Sequence, residues 1–351
     1  MLFKYVAFHY LKNMLIILLG LSGLFAGLDF LMNASLLPSF NVRILYAFFK
    51  WQEALSLLFP LAIVFGAIWT KISFIKQNAL SAMYALGTDR TTLFKPFFAV
   101  GLLTYLVFVG LYFSSFSTAR DSANQLFSNA YDVSKTENLF FKYNDSFVYI
   151  GALIPEKYKL EDLTIFKLEE NEVIETFTSK EAWYNIHEWA ASNVLKKTII
   201  IDKEGKKRLK IEKLPLLKTL EGYQPKILKS IYDGKSLTLY ENIKALGLLA
   251  QQEVETHSMR AEIYGKVVMP LFSIALLMIL VFTFPFHARY MNITMTTTKA
   301  IGGTLFVWGT LFSFQSMGKS GTLNPELAII LPVVLLWTYA LYGLLKSQKK
   351  I

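Results

Sequence analysis

The chain has 351 residues, 54% hydrophobic and 18% charged, with a mean hydropathy of +0.39; this apolar share exceeds that of a soluble domain and points to a membrane protein. It has no cysteine, which excludes a disulfide framework and a thiolate metal site, and its four histidines (His9, His187, His257 and His287) are too scattered to form a metal-ligand pattern. The net charge of +10 is not arranged for nucleic acid: residues 120–262 hold 21 basic and 22 acidic side chains, which leaves 15 basic against 4 acidic elsewhere.

The first apolar run, 13–28, continues past Asp29 to Arg43. It reads as a span and not as a cleaved signal peptide, because it is longer than a signal core and no A-x-A site follows. Charge-free runs then occur at 54–70, 96–119, 267–288, 300–318 and 327–345. About 20 apolar residues at ~1.5 Å rise cross a ~30 Å hydrocarbon core, so six transmembrane helices are expected. Between the second and third lies NALSAMYALGTDR, residues 78–90. Ala79, Ala82, Met83 and Leu86 recur at i, i+3, i+4 and i+7, and Gly87 supplies a stop. A short amphipathic helix over about 76–87 follows, suited to lie on lipid or to dock in a partner's groove.

With both termini cytoplasmic, eleven basic residues flank inner span ends, Lys71, Lys76, Arg90 and Lys95 among them; four, Arg43, Lys50, Lys266 and Lys319, flank outer ends. This positive-inside bias places 120–262 outside. There the text alternates: FVYIGALI (147–154), LTIFKL (163–168), TIIID (198–202) and LKIEKL (209–214), broken by Asn144-Asp145, Pro155 and Glu204-Gly205. A mainly antiparallel β domain is expected, as a sandwich, jelly roll or open barrel, with no helix-rich interlude before about 236. Thr238 and Glu241 then form a capping-box signature for a helix leading to the fourth span. Pro60, Pro270 and Pro332 fall inside spans, where they tend to kink a helix. MGKS at 317–320 ends like a phosphate-binding loop, yet Ser313 stands where the first glycine belongs and both flanks are spans, so nucleotide is left to another chain.

The blocks FPLAIVFGAIW, NALSAMYALGTDRTTLFKP, KYNDSFVYI, KVVMPLFSIALLMILVFTFPF and GTLNPELAIILPVVL, in this order, resemble the LptF/LptG permeases, and the FVYI block looks more like the LptG branch. The resemblance implies a membrane α-helical fold of six transmembrane helices with an inserted periplasmic, jelly-roll-like all-β domain. The expected layout is spans one to three with a cytoplasmic coupling helix in 1–119, the β domain in 120–237, a membrane-proximal helix in 238–258, and spans four to six in 259–351. It further implies a non-catalytic subunit of a bacterial inner-membrane ABC transporter. That subunit would pair with a homologous permease and a cytoplasmic ABC ATPase dimer, extract lipopolysaccharide, and pass it to periplasmic transport proteins. No cofactor is expected in this chain, ATP and Mg being bound by the ATPase.

The resemblance makes Asn78, Ala79, Leu80, Ala82, Met83, Leu86, Gly87 and Arg90 the expected ATPase contact. Ala79 stands where the family usually has a glutamate, so any contact through that carboxylate is absent or comes from another residue. Arg43, Lys50, Arg260 and Lys266, near the outer mouth, are the expected partners of lipid phosphates, with Lys266 the best positioned. Asp29, near the outer end of span one, is expected to face the subunit interior or water. Two readings without an ATPase are a periplasmic ligand sensor and an anchor for envelope proteins.

Overall fold

A computed structural model describes residues 1–127, 135–169, 172–201, 207–233, 236–250, 256–283 and 292–348. Two compact units emerge, Met1–Ala123 with His257–Ile351, and Asn124–Thr256.

The first unit is helical. Helix α1 (Leu2–Asn33) packs along α2 (Phe40–Lys76), and α4 (Arg90–Leu111) lies against both. Backbones approach closely: a Cβ on Gly66 would fall 2.7 Å from Met14 Cα. Polar atoms in this layer are paired inside it, as membrane burial requires. The Tyr10 hydroxyl donates to the Ile63 carbonyl at 2.9 Å, and Asn13 Nδ2 donates to Thr70 Oγ1 at 2.9 Å. Ser39, Asp89 and Asn292 each cap a helix by accepting the N–H three residues on.

Among the described residues, five helical stretches are long and apolar enough to cross a membrane: Leu2–Leu36, Phe40–Lys76, Arg90–Leu111, His257–Leu280 and Glu326–Lys346. The expected fifth span is also helical, as the 27-residue α10 (Ile293–Lys319), but threonine, serine and glycine dilute it and it falls short of the same apolarity. Of the three span prolines, Pro270 alone separates two helices, α8 (His257–Val267) and α9 (Leu271–Thr283). There the Met269 N–H bonds the Tyr264 carbonyl five residues back. Pro60 sits within an unbroken α2, and Pro332 occupies the first turn of α11 (Leu331–Gln348), behind a π-helical turn at Glu326–Ile330.

The second unit is a six-stranded antiparallel sheet of β1 (Thr136–Tyr143), β2 (Ser146–Ile154), β3 (Lys159–Glu169), β4 (Glu172–Asn185), β5 (Glu188–Ile201) and β6 (Lys207–Thr219). Its order is strictly sequential. The expected β domain is thus a meander among the described residues, without the crossed connections of a jelly roll. The alternating segments lie in β2, β3, β5 and β6, apart from Asp202, which is outside the described residues, and Asn144-Asp145 is the two-residue turn between Tyr143 and its partner Ser146. Glu204-Gly205 lies outside the described residues. One nine-residue helix, α6 (Pro225–Asp233), follows the last strand: Pro225 opens it, and Ile227 and Leu228 are fully buried as it packs on β1 and β2. Trp189 is fully buried, with Nε1 donating to the Tyr223 carbonyl at 2.7 Å. The capping box forms at the start of α7 (Leu239–Ala250), where the Thr238 N–H donates to Glu241 at 3.0 Å and the Glu241 N–H returns to Thr238 Oγ1 at 3.2 Å.

Candidate functional site

The helix expected between spans two and three is α3 (Ala79–Ala85). Asn78, before it, has a left-handed φ of 56° and turns the chain out of α2; Gly87, after it, has φ +81°. Thr88 N–H reaches the Met83 carbonyl and Gly87 N–H the Tyr84 carbonyl, which is the paired closure that a left-handed glycine permits. Asp89 caps the next helix: Thr91 donates its hydroxyl and Thr92 its N–H to the carboxylate, and these bonds bring its pKa down to about 2. Burial pushes the Tyr84 hydroxyl up to about 12, with Arg90 opposing.

Packing divides the expected contact set. Leu80 (0% exposed) and Met83 (8%) are buried as α3 packs on α2. Ala82, Gly87 and Leu86 (86% exposed) face out, with Ala79 half-buried. The periodic stripe of 79, 82, 83 and 86 is therefore split, Met83 inward, Ala82 and Leu86 outward, and Ala79 between them. Arg90 also bonds its own chain, Nη1 donating to the Phe282 carbonyl at 3.1 Å.

The expected substrate residues form separate groups. Asp29 lies 3.4 Å from Lys50 Nζ, which also contacts Glu53 at 3.0 Å; Arg120 reaches Glu53 at 3.6 Å. Tyr46 donates its hydroxyl to Asp29, and Asn33 Nδ2 bonds the same carboxylate at 3.2 Å. Asp29 therefore faces the protein. Arg260 pairs with Glu326 at 2.7 Å, with Tyr264 donating to the same oxygen at 3.1 Å. Lys266 pairs with Glu262 at 2.7 Å, one helical turn away. Only Arg43, among these cations, has no carboxylate partner among the described residues; its Nε and Nη2 donate to the Leu37 carbonyl at 3.3 Å each.

Sequence reasoning overlooked Glu53, Glu262 and Glu326 as neutralising partners. The i, i+3 spacing of Lys50 and Glu53 and the i, i+4 spacing of Glu262 and Lys266 were signals for two of them. Glu326, 66 residues from Arg260, left no such signal.

A family model for the lipopolysaccharide export system permease LptF/LptG matches residues 4–346. It covers both branches together and does not separate LptG from LptF. No curated protein matches the chain by sequence.

Proposed function

Because the chain belongs to the lipopolysaccharide export system permease LptF/LptG family, we propose that it is the membrane subunit of an ATP-driven exporter that lifts lipopolysaccharide from the bacterial inner membrane. In this reading the end bearing α3 is cytoplasmic, together with both termini, and the β unit is periplasmic. A homologous permease completes the cavity, an ABC ATPase dimer supplies ATP hydrolysis with its own Mg, and periplasmic proteins receive the lipid. The sensor and anchor readings are not favoured.

The observation that carries the proposal is α3: a single short helix, closed at both ends by left-handed residues, presenting Ala82 and Leu86 away from its own protein, with Ala79 half-exposed beside them. Small alanines beside one protruding leucine suit a helix laid into an apolar groove, with Leu86 as the anchor. Ala79 offers no carboxylate, so the contact proposed is apolar.

At the outer end, phosphate recognition falls first to Arg43. A lipid phosphate would have to displace a carboxylate to engage Lys50, Arg260 or Lys266, whereas Arg43 has no carboxylate partner among the described residues and offers a fork of donors.

The test is co-purification from mild detergent. An Ala82→Glu/Leu86→Glu variant should lose the ATPase while keeping the wild-type thermal midpoint, because both positions are exposed. Undiminished co-purification of that variant would contradict α3 docking, and a wild-type chain that reproducibly brings down no ATPase would return the sensor and anchor readings.

A further inference from the structure

Three features converge on one turn of α9. Lys71, only 4% exposed, sits near the end of α2, and its Nζ donates to the Leu280 carbonyl at 3.1 Å. Arg90, at the start of α4, donates to the Phe282 carbonyl at 3.1 Å. Phe94, one turn further along α4 and 9% exposed, sets its ring 5.9 Å from the Phe282 ring. Leu280 and Phe282 both lie in the last described turn of α9. Two side-chain donors from two different helices thus bond carbonyls of the same turn.

Helix α3 hangs between those two donors on short connections. Gln77 N–H bonds the Ser73 carbonyl, Asn78 N–H the Ile75 carbonyl and Ala82 N–H the Asn78 carbonyl, so the backbone bonding scarcely lapses from α2 into α3. Apolar contact alone is non-directional and lets helices slide in a membrane, whereas charged donors on carbonyls fix position along the axis.

We infer that Lys71, Arg90 and Phe94 act as positioning residues, forming a clasp that hands a displacement of α3 to α9, the second half of the helix broken at Pro270. This rests on the export reading, since it supposes that an ATPase moves α3. The clasp holds three elements, α2, α4 and α9, in one moving body, and the Pro270 break lets that body turn relative to α8.

The test uses Lys71, because its burial keeps it from touching a soluble partner. In the complex with the second permease and the ATPase, reconstituted in proteoliposomes, ATP hydrolysis and lipopolysaccharide release are measured on the same sample. Lys71→Met keeps the apolar stem and removes the donor. The ATPase should co-purify in the wild-type ratio and hydrolyse ATP, while lipid released per ATP falls about fivefold or more, the scale of ordinary inter-site coupling. Lys71→Arg, which restores a donor, should recover most of it. Wild-type release per ATP in Lys71→Met would overturn the clasp and leave the export reading standing.

A second measurement needs no transport. The chain has no cysteine, so spin labels at Ala85→Cys and Thr283→Cys report the distance from α3 to the end of α9. The distribution should be narrow with Lys71 present and broad with Lys71→Met; identical distributions would overturn the clasp even where the variant assembles poorly.

Discussion

Two glycines at close helix contacts differ in what surrounds them. A Cβ on Gly66 would meet the Met14 backbone at 2.7 Å, so α1 and α2 would have to separate; Gly66→Ala should cost about 1–3 kcal/mol, read as a lowered thermal midpoint in detergent. A Cβ on Gly265 would meet the Gln315 amide at 1.9 Å, but that is the far end of a flexible side chain that can swing away. Gly265→Ala should therefore cost less, and equal losses would contradict this account. Pairing separates the outer cations in the same manner. Arg43→Glu should weaken photocrosslinking to lipopolysaccharide more than Lys266→Glu, because Lys266 is already neutralised by Glu262. The left-handed glycine after α3 was legible in the text, since a Schellman-type closure is a local event. The pairing of Asp29 was not, because Lys50 stands on the next helix and its register depends on how α1 and α2 pack.

Among the elements, α3 and α4 meet at Asp89, whose capping role has a pH signature. Its carboxyl titrates lower in the folded chain, near 2, than the ordinary 3.8, because the Thr91 hydroxyl and the Thr92 N–H bond its charged form. The cap's contribution is thus fully present above about pH 4 and is lost as pH falls through about 2. The difference in thermal midpoint between wild type and Asp89→Ala should be flat from pH 7 to 4 and shrink below it. Helix boundaries followed the same local logic: the Thr238–Glu241 box and the Asn144-Asp145 turn are each written within a few residues. Strands β1 and β4 were overlooked because TENLFFKY lacks clean alternation and EVIETFTSKEAWYN mixes charge into it. Only pairing with β2, β3 and β5 makes strands of them, since β propensity expresses neighbours more than backbone preference. Helix α6 was likewise hidden, its apolar side being short and intelligible only with β1 and β2 beneath it.

For the molecule as a whole, charge asymmetry and the family together predict opposite sides for α3 and the sheet. In cells with a permeabilised outer membrane, an impermeant maleimide should label Lys218→Cys in β6 and spare Gln77→Cys beside α3; the reverse pattern would invert the proposed topology. The sequence by itself determined which segments are apolar enough for a bilayer, that a β unit interrupts them, and where short helices stop. Hydropathy, periodicity and a left-handed glycine are properties of neighbouring residues. Tertiary structure alone decided which side of α3 is offered outward, which cations are paired across helices, and what grips the last described turn of α9. Those outcomes depend on pairs such as Asp29 with Lys50, Arg260 with Glu326 and Lys71 with the Leu280 carbonyl. Their members lie tens to hundreds of residues apart and meet only through the packing of separate helices, for which no local pattern carries a signal.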